Sequence, residues 1–239
     1  MSISKEGTIK EKIAADSDAD RLTVVDEKGN IVDANEILGC LYYYFVHVQG
    51  EKGDIVRNVA TSHLLDHLAE KLGTHCHETD VGFKNITRTM EETDSLLGGE
   101  SSGGLTKRGY LHGKDSTFAL MLFFNMVDAM GKTVSQIVEE MKSFACFHEI
   151  YQETFVRYPL EKEPQIFHYL CEKSPAFPKP ILKKEVLGRN VRYTFSTKEW
   201  ALLRLSGTEN ALRIVVELDP TEKLSSYEQS ISDFIVRMP

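Results

Sequence analysis

From residue 33 to residue 148, short β-prone runs alternate with amphipathic helical patterns that carry their own start signals. This alternation limits the fold more than any other feature of the chain. Asp33 and Glu36 have capping-box spacing, and Ile37, Leu38, Leu41, Phe45 and Val48 follow with helical period. Asp54 to Ala60 reads as a strand. Ser62 reads as the N-cap of a second helix, with Leu64, Leu65, Leu68 and Leu72 on one face and Gly73 as its stop. Ser95-Leu96-Leu97 is a strand running into a Gly-Gly-Glu loop. Asp115 caps a third helix with Phe118, Ala119, Leu122, Met126 and Val127 on its face, and Thr133 with Gln136 opens a fourth. The pattern predicts a three-layer α/β sandwich over 34–148.

Residues 149–239 read differently. Strands are predicted at 153–158, 191–195, 200–204 and 211–218, and helices at 164–173 and 224–238. Ser174 to Pro180 is a Pro-rich break between them. This is the pattern of a smaller α+β domain, helices on an antiparallel sheet. Residues 1–33 hold only a polar start, an Asp-rich loop, one strand and a Lys28-Gly29-Asn30 turn, and read as the remnant of a further domain.

A hydrophobic fraction of 41% over 239 residues supports a real core, and a net charge of −8 without a Lys/Arg run argues against nucleic-acid binding. The Leu41–Val48 run is too short to span a membrane and contains His47. Cys40, Cys76, Cys146 and Cys171 lack C-x-x-C spacing. Cys40 and Cys146 fall in apolar helical patterns and are expected to be buried free thiols, which fits a cytoplasmic compartment.

Two segments carry chemistry. In Ala15-Asp16-Ser17-Asp18-Ala19-Asp20-Arg21, alternate carboxylates converge and repel one another unless a hard divalent cation such as Mg²⁺ sits among them. An EF-hand reading fails: Arg21 occupies the position that needs glycine, and Leu22 to Val25 reads as a strand where a helix is required. Near the other end, Ser206-Gly207-Thr208 joins two β-prone runs, with Arg204 and Arg213 at its shoulders. Two hydroxyls, a flexible backbone and two guanidinium groups suit a phosphate, while an ordinary hairpin turn with surface arginines is the plain alternative.

Together these segments resemble the α-D-phosphohexomutases, the phosphoglucomutase and phosphomannomutase group. Residues 15–21 are similar to that family's D-x-D-x-D-R metal loop, and Gly99-Glu100-Ser101-Ser102-Gly103-Gly104 to its G-E-x-S-G sugar loop. Thr79 to Lys84 resembles the segment bearing the family's active-site lysine. Residues 204–213 resemble its R-P-S-G-T-E-P-x-x-R phosphate loop. The resemblance implies the family's third and fourth domains.

It implies Mg²⁺ on Asp16, Asp18 and Asp20, with Arg21 and Lys84 in catalytic roles. Glu100 and Ser102 would hold sugar hydroxyls. Arg204, Ser206, Gly207, Thr208 and Arg213 would anchor the phosphate that is not reacting. His112 is a further substrate-loop candidate. The partner that the resemblance implies is a hexose phosphate, glucose or mannose 1- or 6-phosphate.

Departures matter. Leu205 and Asn210 replace two prolines of the phosphate loop, which should make it more mobile. Gly104 stands where phosphomannomutase-type members often carry histidine. Family members are about twice this length, and their phosphorylated serine lies in a T-A-S-H-N-P loop that does not occur here. Thr61-Ser62-His63 is followed by Leu64-Leu65, not by Asn-Pro. The expectation is therefore a mutase fragment that needs its missing N-terminal half and is inactive alone. The alternative is a non-catalytic sugar-phosphate-binding module.

Overall fold

A computed structural model describes residues 12–15, 20–206 and 210–237. It divides into two compact units, 1–147 and 148–239. The first unit holds two sheets. Strands β1 (Lys12–Ala15), β2 (Leu22–Val25) and β3 (Ile31–Val32) form a three-stranded antiparallel sheet. The sequence predicts only β2 here; β3 has just two residues, and β1 is a strand through its pairing with β2. Asp26 closes the β2–β3 turn by accepting from the N–H groups of Lys28 (2.9 Å) and Asn30 (2.8 Å), and Gly29 takes φ +89°.

The second sheet runs β5-β4-β6-β7, from β4 (Ile55–Asn58), β5 (Cys76–Thr79), β6 (Leu97–Gly99) and β7 (Leu105–Lys107). β4 pairs parallel with β5 and β6, and β7 is antiparallel. On one face lie α1 (Ala34–Tyr43), α2 (Leu64–Leu72), α4 (Ser116–Met130) and α5 (Val134–Ala145), packed around Ile55, Leu97 and Leu105. On the other face α3 (Phe83–Thr93) sets Ile86 and Met90 against Val56. The result is the three-layer α/β arrangement. Two glycines of β6 make room for it. A Cβ on Gly98 would collide with Met90 Sδ and stand 2.7 Å from Ile86, and one on Gly99 would stand 2.8 Å from Leu38. Each face thus admits a helix at backbone distance.

Local signals place several boundaries. Asp33/Glu36 and Thr133/Gln136 form capping boxes, and Asp115 accepts from the N–H groups of Thr117 and Phe118. A π-helical turn over Tyr44–Val48 extends α1. Elsewhere the structure corrects the sequence. His63, not Ser62, is the cap residue of α2, although the Ser62 hydroxyl still accepts from Leu64 N at 3.0 Å. Val48 is exposed. On α4, Ala119, Phe123 and Met126 are fully buried, while Phe118, Leu122 and Val127 are half-covered. Cys40 is buried, with its thiol pushed up by that burial, but Cys146 is exposed. It is the left-handed C-cap of α5 (φ +51°), turned out one residue past the apolar face.

The second unit is a five-stranded antiparallel sheet, β8-β12-β11-β10-β9, from β8 (Ile150–Arg157), β9 (Lys183–Leu187), β10 (Asn190–Thr194), β11 (Trp200–Leu205) and β12 (Ala211–Leu218). Alternate residues Val191, Tyr193, Ala201, Leu203, Leu212, Ile214 and Val216 pack against α6 (Glu163–Glu172) and α7 (Leu224–Val236) through Leu170, Tyr227 and Ile231. This is the α+β plan, with β9 added: Lys-Lys-Glu-Val-Leu is too charged to read as a strand and sits at the sheet edge. Among the described residues no helix is long and apolar enough to cross a membrane.

Candidate functional site

The first unit gathers polar side chains at the carboxyl ends of β4 and β6, where open α/β sheets take their ligands. The loop from β6 to β7 is a tight turn around Glu100. Its N–H donates to Gly104 O and its carbonyl accepts from Gly103 N, both at 3.0 Å. Gly103 holds φ +96°, and a Cβ there would stand 3.0 Å from Leu22 O, so the turn and β2 come together only through glycine.

Glu100 is 8% exposed and its carboxylate is well bonded. Oε1 accepts from Ser102 Oγ (2.8 Å) and Lys114 Nζ (2.9 Å), and Oε2 from Asn58 Nδ2 (3.3 Å). Asn58 is fixed in turn: its Oδ1 accepts from Ala60 N (2.9 Å) and Thr61 Oγ1 (3.1 Å). Ser101 N donates to Thr61 Oγ1 at 3.3 Å, which ties the end of β4 to the Glu100 loop. A carboxylate offers about four acceptor positions. The three bonds leave room for a ligand hydroxyl, on the Oε2 side above all.

Lys114 links this loop to the Asp-rich segment. Its Nζ lies 3.3 Å from Asp20 Oδ2, and Arg21 Nε donates to Asp20 Oδ1 at 3.0 Å. Burial works against the lysine's charge, but the bonds to Glu100 and Asp20 outweigh it and hold its pKa above the ordinary value. Nζ also stands 5.7 Å from the Phe83 ring. Asp20, Arg21, Glu100 and Ser102 are thereby brought together around a residue that the sequence reading passes over. The signal was a cation in Gly113-Lys114-Asp115, directly before the α4 cap.

Lys84 is exposed on the first turn of α3, beside Phe83, and its side chain makes no hydrogen bond or ion pair among the described residues. His112 pairs with Glu91 on α3, away from the Glu100 carboxylate. Asp16 and Asp18 lie outside the described residues, and among those described no three His, Cys, Asp or Glu side chains converge on a metal position.

Gly104 is required by the course of Lys114. A Cβ at 104 would lie 2.5 Å from Lys114 Cδ and 3.1 Å from Cε. The lysine stem is flexible, so Gly104→Ala should fold normally but push Nζ off Glu100. The expected cost is about 1 kcal/mol of ligand affinity, roughly fivefold, with the unfolding midpoint unchanged. Titration with a hexose phosphate beside a thermal melt checks both halves.

In the second unit, Arg204 on β11 stands directly opposite Arg213 on β12, so both guanidinium groups leave the sheet on one face. Like charges placed so repel, and the arrangement favours an anion between them. Glu153 on β8 offsets part of the repulsion, its Oε1 3.2 Å from Arg213 Nη1. Ser206 is buried, and its N–H donates to Ala211 O at 2.9 Å, holding the loop's base. Gly207 and Thr208, with Glu209, lie outside the described residues.

Comparison with known proteins agrees across both units. The family model "Phosphoglucomutase/phosphomannomutase, alpha/beta/alpha domain III" matches residues 33–144, and the model of that family's C-terminal domain matches 176–234. A phosphoglucosamine mutase of Bacillus velezensis is 30% identical over 233 residues, 95% of this chain and 48% of the relative. A phosphoglucomutase/phosphomannomutase of Thermococcus kodakarensis is 27% identical, covering 90% of this chain and 44% of its own. Among solved structures, a Thermus thermophilus protein carrying the name phosphomannomutase superposes with a TM-score of 0.74 at 26% identity, over 96% of this chain and 47% of that one. The chain spans about half the length of the curated relatives it matches.

Proposed function

The chain belongs to the phosphoglucomutase/phosphomannomutase family, and from that premise we propose that it supplies the sugar- and phosphate-binding half of a hexose-phosphate mutase. The observation that carries the reading is the Glu100 carboxylate, held by Asn58, Ser102 and Lys114 at the carboxyl ends of parallel strands. Glu100 and Ser102 bind neighbouring hydroxyls of the sugar ring. Lys114 keeps its proton and donates to the Glu100 carboxylate. Arg204, Ser206 and Arg213, with Gly207 and Thr208, hold the phosphate that stays in place, which orients the sugar for in-line transfer at its other end.

In the full cycle a phosphoserine from another segment gives its phosphoryl group to the sugar. The bisphosphate reorients and the other phosphoryl group returns to the serine, so phosphorus is conserved and the hexose phosphate is isomerised. Asp16, Asp18 and Asp20 would hold Mg²⁺, with Arg21 beside them and Lys84 as a further substrate contact. The donor chemistry suits it, since three carboxylates offer the hard oxygens that Mg²⁺ takes. When bound, the metal polarises the phosphoryl group being transferred. The substrate is a hexose phosphate; relatives carry names for glucosamine, glucose and mannose phosphates. The free thiols of Cys40, Cys76, Cys146 and Cys171 suit a cytoplasmic enzyme.

The phosphate loop provides a direct test. Loss of a charged bidentate partner costs about 1.5–3 kcal/mol, so Arg213→Ala should weaken glucose 1-phosphate or inorganic phosphate binding about tenfold or more. Glu153→Gln, which releases Arg213 from its carboxylate, should strengthen it. An NMR titration that leaves residues 204–213 unshifted while other positions move would reduce this loop to a turn.

A further inference from the structure

His75 and His77 flank Cys76 at the start of β5, the outer strand of its sheet among the described residues. Residues two apart on an extended chain share a face, and the two imidazole centroids lie 4.6 Å apart at 73°. His75 is exposed and His77 half-buried. Cys76 turns the other way, beside Arg57, where burial pushes its thiol up, so it does not belong to this face. Glu78 also turns away, to Arg57 at 2.8 Å.

Asp54, just before β4, serves both histidines. Its Oδ1 accepts from His75 N at 3.0 Å, and its Oδ2 lies 3.0 Å from His77 Nε2. In the Asp54–His77 bond the ring nitrogen Nε2 donates to Oδ2, which leaves Nδ1 as the nitrogen that can ligate. A metal-ligating histidine is held in this way: one nitrogen free, the other donating to a carboxylate that sets tautomer and ring orientation.

We propose that His75 and His77 form a two-nitrogen chelate for a divalent transition-metal ion of the zinc, nickel and copper class, with Asp54 holding His77 in its ligating tautomer. Water completes the coordination, since no third ligating side chain converges there among the described residues. Imidazole donors suit these ions and not Mg²⁺, so the site is separate in chemistry from the Asp-rich loop.

The test is a calorimetric and NMR titration of the untagged full chain with ZnCl₂ in excess MgCl₂. One saturable equivalent is expected, with His75, His77 and Asp54 shifting first and Mg²⁺ failing to compete. His75→Gln and His77→Gln should each weaken binding about tenfold or more. Asp54→Asn should weaken it roughly 10- to 100-fold, the usual effect of losing an outer-shell partner. All three positions are at least partly solvent-facing, and far-UV circular dichroism confirms that the variants fold. Absence of saturable Zn²⁺ binding, or binding undiminished in a His75→Gln/His77→Gln double variant, overturns the proposal.

Discussion

Purified alone, the 239-residue chain should not convert glucose 1-phosphate to glucose 6-phosphate at an enzyme-like rate. In the reading proposed above its groups bind and orient. Asn58, Ser102 and Lys114 hold Glu100, and Arg204 faces Arg213. The Thr-Ala-Ser-His-Asn-Pro loop that carries the phosphorylated serine in the family this chain resembles does not occur in the sequence. Removing a covalent nucleophile costs on the order of a million-fold in rate where it has been measured. A coupled assay reading glucose 6-phosphate should therefore stay at background, while the same sample still binds glucose 1-phosphate by titration. That second readout separates a folded, nucleophile-free chain from a misfolded one. Adding the N-terminal half of a relative should bring turnover. An enzyme-like rate from contaminant-free chain alone would mean that one of its own side chains takes the phosphoryl group.

Much of the fold is legible because its signals are local. A capping box spans three residues, so Asp33/Glu36 and Thr133/Gln136 announce α1 and α5 without tertiary help. Gly73, with φ +69°, stops α2 for the same reason. Elements that depend on neighbours are harder to read. β9 is Lys-Lys-Glu-Val-Leu, a strand only because β10 pairs with it. On α4, covered by neighbours on more than one side, helical period alone cannot choose between Phe118 and Phe123.

The site divides in the same way. Asp20, Arg21, Glu100 and Ser102 stand out because unusual residue types cluster within a few positions. Lys114 does not: its role arises where segments near residues 20, 100 and 114 meet, a distance in sequence that no local pattern encodes. Cys146 shows the converse. Its apolar setting is real, but one left-handed residue at the helix end turns it outward.

The largest stability effect is expected at Arg57. Its side chain is 3% exposed. It forks onto Asp66 at 2.6 and 2.9 Å, reaches Glu78 at 2.8 Å, and donates to Asn58 O at 3.2 Å. Burial opposes the guanidinium charge, and the two carboxylates outweigh it and raise its pKa further. Breaking a buried ion pair from one side typically costs about 3–5 kcal/mol. Asp66 and Glu78 keep 39% and 28% side-chain exposure and can regain water, so Arg57→Met belongs at the low end, about 3 kcal/mol. For a unit of this size that lowers the unfolding midpoint by roughly 6–12 °C. Arg57→Lys keeps the charge but loses the fork and should recover only part of the loss. The effect should also reach the site. Arg57 steadies the backbone of Asn58, whose amide holds Glu100, so Arg57→Met should weaken hexose-phosphate binding well below its melting range. A denaturant series on the parent, Arg57→Met and Arg57→Lys, with ligand titration at low temperature, tests both claims. An Arg57→Met variant as stable as the parent would show that the buried network is dispensable, and one destabilised but binding normally would sever the link from Arg57 through Asn58 to the Glu100 carboxylate.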